Sequence, residues 1–355
     1  MKGRFAFAAA VVLLCLGSLA QADVFNLGTG FTNLETVTVG DPGNAGELSG
    51  RPDSEYYGPQ RMCGSVGYSY GIGKYEVTIA QYCDFLNHKA KSDAYGLYNS
   101  NMGSIRWGCN IQRSGASGNY TYSVVAQYAN MPIHYVTFWD ACRFANWLNN
   151  GQGDGDTETG SYSLNPEDII NNAVVRNVGA KWAVTSEDEW FKAAYYKGGG
   201  TDAGYWDFPT RNDFPNYPGT DRSDRSGNNA NTWPTDANGS FSPFTEVGTF
   251  LNSPSPYGTF DQGGNVSEWT ETIMWGTRRN VRGGSSYYED DAGIYSMNRF
   301  SYDAGAIPPP DYYDIIGFRL THIETGWQAV PEPSSTLALL TGMAGIGGFA
   351  IRKRK

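Results

Sequence analysis

The segment Asp261-Gln262-Gly263-Gly264-Asn265-Val266-Ser267-Glu268-Trp269 is followed by Val281-Arg282-Gly283-Gly284-Ser285 and, further on, by Gly317-Phe318-Arg319. Two carboxylates seven positions apart bracket a turn that contains Gly263 and Gly264. Such a turn can aim both side chains and the carbonyls between them at one point, and hard oxygen ligands of this sort suit calcium. The same spacing also suits a turn whose carboxylates cap backbone N–H groups. Between Arg282 and Arg319 the chain runs through Tyr287-Tyr288-Glu289-Asp290-Asp291 and carries no cysteine. Arg282 and Arg319 read as buried structural ion partners rather than catalysts.

Upstream, three helices are legible. Thr78-Ile79-Ala80-Gln81 is a capping box, in which the threonine oxygen accepts an orphan backbone N–H and the glutamine reaches back. Ile79, Tyr82, Cys83 and Leu86 then share one face. A second helix starts near Thr137, with Ala141, Phe144, Ala145 and Leu148 as its stripe and Gly151 as its stop. A third starts at Ser186, where Glu189 completes another box; Trp190, Ala193 and Ala194 face inward, and Gly198 to Gly200 end it.

Each helix lies in a longer block: Gly73-Lys74-Tyr75-Glu76-Val77-Thr78, Pro132-Ile133-His134-Tyr135-Val136-Thr137, and Trp182-Ala183-Val184-Thr185-Ser186-Glu187-Asp188-Glu189-Trp190. With the two blocks around Gly264 and Gly284 these resemble, in order, the formylglycine-generating-enzyme or sulfatase-modifying-factor family. The resemblance runs from about residue 24 to residue 322. It implies an α+β, C-type-lectin-like fold with few helices, short antiparallel strands and much ordered loop. The glycine, tyrosine and tryptophan load (45, 24 and 10 residues) agrees with that fold.

Active members of that family oxidise a substrate cysteine with a cysteine pair placed between the Gly-Gly-Ser and Gly-Phe-Arg blocks. Here no thiol stands between Gly284 and Gly317, so no catalytic residue is assigned. A thiolate copper site needs two converging soft ligands, so copper is not expected. The resemblance implies a structural calcium held by Asp261, Glu268 and the carbonyls of Gly264 and Val266. It implies a second one starting at Asn231 and Thr232, with Asp236, Asn238 or the Ser240 carbonyl as later ligands. Tyr287, Tyr288, Glu289 and Asp290 occupy the region of the family's substrate groove and are the candidate binding surface.

The two ends read as addresses. Lys2 and Arg4, an apolar run from Phe5 to Leu16, and Ala20-Gln21-Ala22 make residues 1–22 a signal peptide, with the mature chain starting at Asp23. Residues 330–355 hold Val330-Pro331-Glu332-Pro333, an uncharged stretch about one bilayer long and a terminal Arg352-Lys353-Arg354-Lys355. This order resembles a PEP-CTERM sorting tail. It implies transient anchoring in the inner membrane and processing by an exosortase, with the protein ending at the cell surface or outside the cell. A plain C-terminal anchor is the alternative. The body, residues 23–329, keeps 20 basic and 35 acidic residues, a net charge of −15. That balance disfavours nucleic acid and anionic membranes as partners.

Cys15 falls in the signal peptide. The even number left in an exported chain allows two disulfides, expected as Cys83–Cys142 and Cys63–Cys109, with buried free thiols as the alternative. No C-x-x-C pair suggests zinc. The three histidines, His88, His134 and His322, are scattered, and no H-E-x-x-H or G-x-S-x-G motif is present. The sequence therefore reads as an exported, non-catalytic binding or structural module of an envelope or exopolysaccharide layer. The alternative is an enzyme of the formylglycine-generating type acting on exported sulfatases.

Overall fold

The computed structural model describes residues 33–51, 58–104, 108–214, 216, 218–220, 227–233, 243–286, 294, 296–305 and 315–323. In chain order these form strands β1 (Thr36–Val39), β2 (Glu47–Ser49), β3 (Arg61–Cys63) and β4 (Tyr70–Gly73), then helix α1 (Ile79–Lys89). Strands β5 (Ile111–Ser114) and β6 (Thr121–Val124) precede α2 (Phe138–Asn149) and the short α3 (Pro166–Ile170). Strand β7 (Trp182–Val184) leads into α4 (Glu187–Tyr195). The chain closes with β8 (Ser267–Met274), β9 (Arg278–Arg282), β10 (Phe300–Asp303), β11 (Ile316–Phe318) and β12 (Leu320–His322).

The three expected helices start where their side chains cap them. Thr78, Thr137 and Ser186 each accept from the backbone N–H three residues on, and Gln81, Asp140 and Glu189 return the bond. Their apolar stripes are buried as the spacing predicts. Helix α3, capped by Asn165 with Pro166 in its first turn, has no apolar stripe and none of its residues is buried. Periodicity therefore could not announce it.

Two four-stranded sheets organise the body, in the orders β1-β4-β12-β7 and β10-β9-β8-β11, beside hairpins β2-β3 and β5-β6. Pairing is antiparallel except for β11, which runs parallel to β8 with Gly317 opposite Glu268. That register needs glycine at 317, because a Cβ there would lie 2.4 Å from the Ile133 carbonyl oxygen. The main core packs Tyr82 and Phe85 of α1 on Phe144 and Trp147 of α2, and Phe144 meets Phe318 of β11 edge-on at 5.5 Å. Among the described residues no helix is long and apolar enough to cross a membrane.

Cys63, Cys83, Cys109 and Cys142 are free and buried, so neither expected bridge forms. Cys63 lies in a separate cluster with Trp190 and Phe191, whereas the other three belong to the main core. Cys83 and Cys142 do sit on α1 and α2, but each is absorbed into packing as a small apolar side chain.

Candidate functional site

The parallel step between β8 and β11 decides what happens at the Asp261–Glu268 turn. It sets Arg319 against Glu268, and both are fully buried. Arg319 Nε and Nη2 donate to the two Glu268 oxygens at 2.6 and 2.7 Å, and Trp190 Nε1 adds a bond at 2.8 Å. The same guanidinium donates to the Gly73 and Phe260 carbonyls, each at 2.9 Å. Burial opposes its charge, but the Glu268 carboxylate more than offsets this, and the Arg319 pKa is raised. Glu268 thus anchors three chain segments through Arg319, and both its oxygens are engaged with a cation already in place.

Asp261, at the other end of the turn, sits at φ 59°, and its Oδ2 accepts from the Gly248 N–H at 2.6 Å. Burial pushes its carboxyl up to about 6, against the Gly248 bond and the Arg319 charge. Asp261 lines a small polar crevice with Thr210, Asn229, Ser253, Ser255 and Phe250. Gly264, at φ 84°, is pressed against Asn231, and a Cβ there would lie 2.4 Å from the Asn231 oxygen. Asn231 holds the turn from outside. Its carbonyl accepts from Asn265 N at 2.8 Å, and its Nδ2 donates to Pro243 O at 2.9 Å and Asn265 Oδ1 at 3.1 Å. Thr232 beside it is buried. Val266, just before β8, is buried against Gly317. Asp236 and the candidate surface Tyr287, Tyr288, Glu289 and Asp290 lie outside the described residues. Among the described residues no three His, Cys, Asp or Glu side chains gather into a metal-holding cluster.

One residue that sequence reasoning passed over stands out. Glu76, between β4 and α1, is 1% exposed, and neither of its oxygens has a hydrogen-bond partner among the described residues. Burial pushes its carboxyl well above the usual carboxylate range, the Asp261 charge adds to this, and Arg319 opposes both. Its only signal in the sequence was a carboxylate beside the otherwise buried Val77.

A second charged centre lies under the Gly-Gly-Ser block. Glu187, at the first position of α4, accepts from Arg282 Nε at 2.9 Å, from Arg299 Nε and Nη2 at 2.6 Å each, and from Arg61 Nη1 at 2.8 Å. Burial alone would raise its carboxyl; the Arg299 and Arg282 charges overcome burial and hold it well below the usual range. Arg282 also donates to the Ser296 and Asn298 carbonyls, at 3.0 and 2.8 Å, and lies 3.4 Å from Cys63 Sγ. Both arginines read from sequence as structural ion partners have that role.

The thiols are not set up for nucleophilic or metal chemistry. Burial raises every one, Cys63 and Cys109 to about 12 and Cys83 to about 11, with Cys142 well above the ordinary value. Cys109 lies 3.6 Å from His134 Nδ1, but that nitrogen also faces the Pro132 carbonyl at 3.2 Å. A nitrogen donating to a carbonyl cannot at the same time take the thiol proton.

The body is a mixed α+β fold with capped helices, short strands and buried Glu–Arg anchors. Residues 36–322 match the family described as sulfatase-modifying factor enzyme 1-like domain, and the chain belongs to that family. Similar solved structures include Treponema denticola variable protein 1, at 19% identity and TM-score 0.47, covering 82% of this chain and 95% of that one. CarF, at 21% and 0.46, covers 82% and 99%, and PvdO from Pseudomonas aeruginosa, at 17% and 0.47, covers 82% and 95%. No curated protein matches the sequence.

Proposed function

We propose that this protein is an exported, non-catalytic binding or structural module built on a sulfatase-modifying-factor-like domain. The observation that carries the reading is the state of its thiols. None stands between Gly284 and Gly317, and the four in the body are buried with raised pKa values. Oxidation of a substrate cysteine by the family's route needs an accessible, readily ionised thiol pair, and thiolate character is what burial removes. The residues around that stretch are instead spent on anchoring: Arg282 on Glu187, and Arg319 on Glu268.

Export rests on the signal-peptide pattern of residues 1–22 and on the Pro331-Glu332-Pro333 tail with its basic end. In this reading an exosortase-type enzyme processes the tail after transient inner-membrane anchoring. The body then works at the cell surface or in an exopolysaccharide layer. The segment Tyr287 to Asp290 supplies the binding surface. Incubating the purified protein with a sulfatase peptide and copper, followed by mass spectrometry, is the direct test. The peptide cysteine is expected to stay unmodified, and its conversion to formylglycine would refute the non-catalytic reading. Export is tested separately by fractionating cells that carry wild-type protein or a chain ending at residue 329.

A further inference from the structure

The outer side of residues 170–178 has its polarity reversed. After α3 the chain alternates like an edge strand, and Arg176 pairs with Tyr162 in an isolated antiparallel bridge. Asn172, Val174 and Arg176 are buried, while Ala173 and Val175 between them face outward. A segment with one wet face ordinarily puts its polar residues there. Here Asn172 turns inward to Arg279, and Arg176 turns inward to Glu189 and Glu271. The aliphatic side chains are left outside: Ile170 is 82% exposed, Val175 60% and Val178 81%. Ile170 and Val178 are the most exposed large apolar side chains among the described residues. Single exposed apolar residues are ordinary, whereas several close together along one short stretch mark an interaction surface.

The chain leaves the body beside this patch. Strand β12 pairs with β7, His322 opposite Trp182, and Ile323 N donates to Lys181 O at 2.8 Å. Lys181 is exposed and stands three positions from Val178. Ile323 is the last described residue. Residues 324–333 then lead to the uncharged stretch that precedes Arg352. Fully extended, that connection spans at most about 35 Å. A chain anchored through the uncharged stretch therefore keeps the Val178 side of its body within reach of the membrane, at high effective concentration.

We propose that, while the tail anchors the chain, the body rests on the lipid surface through Ile170, Val175 and Val178. The proposal rests on the reading of residues 330–355 as a membrane-inserted tail. The three aliphatic side chains enter the boundary between headgroups and acyl chains. Lys181 beside them lays its stem on the apolar layer and keeps its ammonium among the headgroups. Arg176 brings no charge to this face, because Glu189 and Glu271 hold it. Glu167 in the first turn of α3 is exposed and the body is acidic, so the surface that fits is zwitterionic rather than strongly anionic. Stable membrane attachment takes two signals, and this patch is one of them. Seating thus orients the body while the tail is present and ends when the tail is cut.

The test uses the full chain in phosphatidylcholine vesicles, with Val178→Cys carrying an environment-sensitive fluorophore. The four body thiols are buried and stay unreacted. Flotation is scored first: a full chain that does not float with the vesicles refutes the tail reading and the seating with it. In a floating chain the label is expected to shift to the blue and to lose about half of its emission or more to nitroxide-bearing lipids. Adding Ile170→Ser/Val175→Ser should abolish most of that quenching while the chain still floats. A floating chain whose label stays unquenched overturns the seating and leaves the tail reading standing. Quenching unchanged by the two serines overturns it as well, because the tether alone then brings the label to the membrane. A blue-shifted label that no lipid quencher reaches overturns it in favour of the chain's own tail lying over the patch. None of these outcomes bears on the non-catalytic reading, which the peptide assay tests.

Discussion

Glu76 and Glu268 bring the same side chain into the same buried region, and only one arrives with a partner. What separates them is the strand beside each: β11 delivers Arg319 to Glu268, and among the described residues nothing delivers a second cation to Glu76. Removing one member of a buried pair leaves the other charge stranded, at about 3–5 kcal/mol. Arg319→Met should therefore lower unfolding free energy by that order in urea titrations. The double variant Arg319→Met/Glu268→Leu should recover most of it, and no recovery would show that the pair does more than neutralise itself. Asp140 offers a pH test. Burial raises its carboxyl from 3.8 to about 6, against its bonds from Thr137. The folded state thus binds that proton more tightly than the unfolded chain. The stability this contributes is complete below pH 4 and lost as pH rises through 6. Relative to Asp140→Asn, wild type should lose up to about 3 kcal/mol between pH 4 and pH 7, read from urea midpoints. Glu187 has the opposite sign, and its contribution disappears only on acidification below the ordinary carboxylate range. At this scale the sequence disclosed that Arg282 and Arg319 are ion partners, but not whose. A partner is chosen by register across strands distant in the chain.

Helix starts were the most legible elements because their cause is local. A threonine or serine and a residue three positions on settle two backbone donors without reference to the rest of the fold. Thr137→Ala and Ser186→Ala should each lower stability by about 1 kcal/mol, measured by urea titration. The strands were less legible, since most are three to five residues long and several are buried on both faces, which erases alternation. Gly317 shows what was hidden. It looks like a flexible residue, yet it is required because β11 passes beneath the Ile133 carbonyl. Gly317→Ala should destabilise by about 1–3 kcal/mol through forced separation of those backbones, again by urea titration. The cysteines misled for a related reason. An even count and an exported context favour bridges, but the helices carrying Cys83 and Cys142 bury each thiol in its own packing. All four body thiols should stay unlabelled by Ellman's reagent in the native protein. All four should react in guanidinium without reductant.

For the whole molecule, the ordered blocks gave the family and the fold. The calcium turn was read as a pattern of oxygens, and the structure adds what a pattern omits: which carboxylate is already taken. Sheet order carries a further consequence, and it concerns time. Strand β12, Leu320–His322, lies inside the sheet between β4 and β7, so the last strand in chain order among the described residues occupies an interior place. Until residue 322 has emerged, β4 and β7 have no common neighbour and Glu268 has no Arg319. The body should therefore remain unfolded until β12 is available to enter the sheet. A chain ending at Phe318 should be protease-sensitive throughout, while one ending at residue 329 should resist limited trypsin as the full chain does.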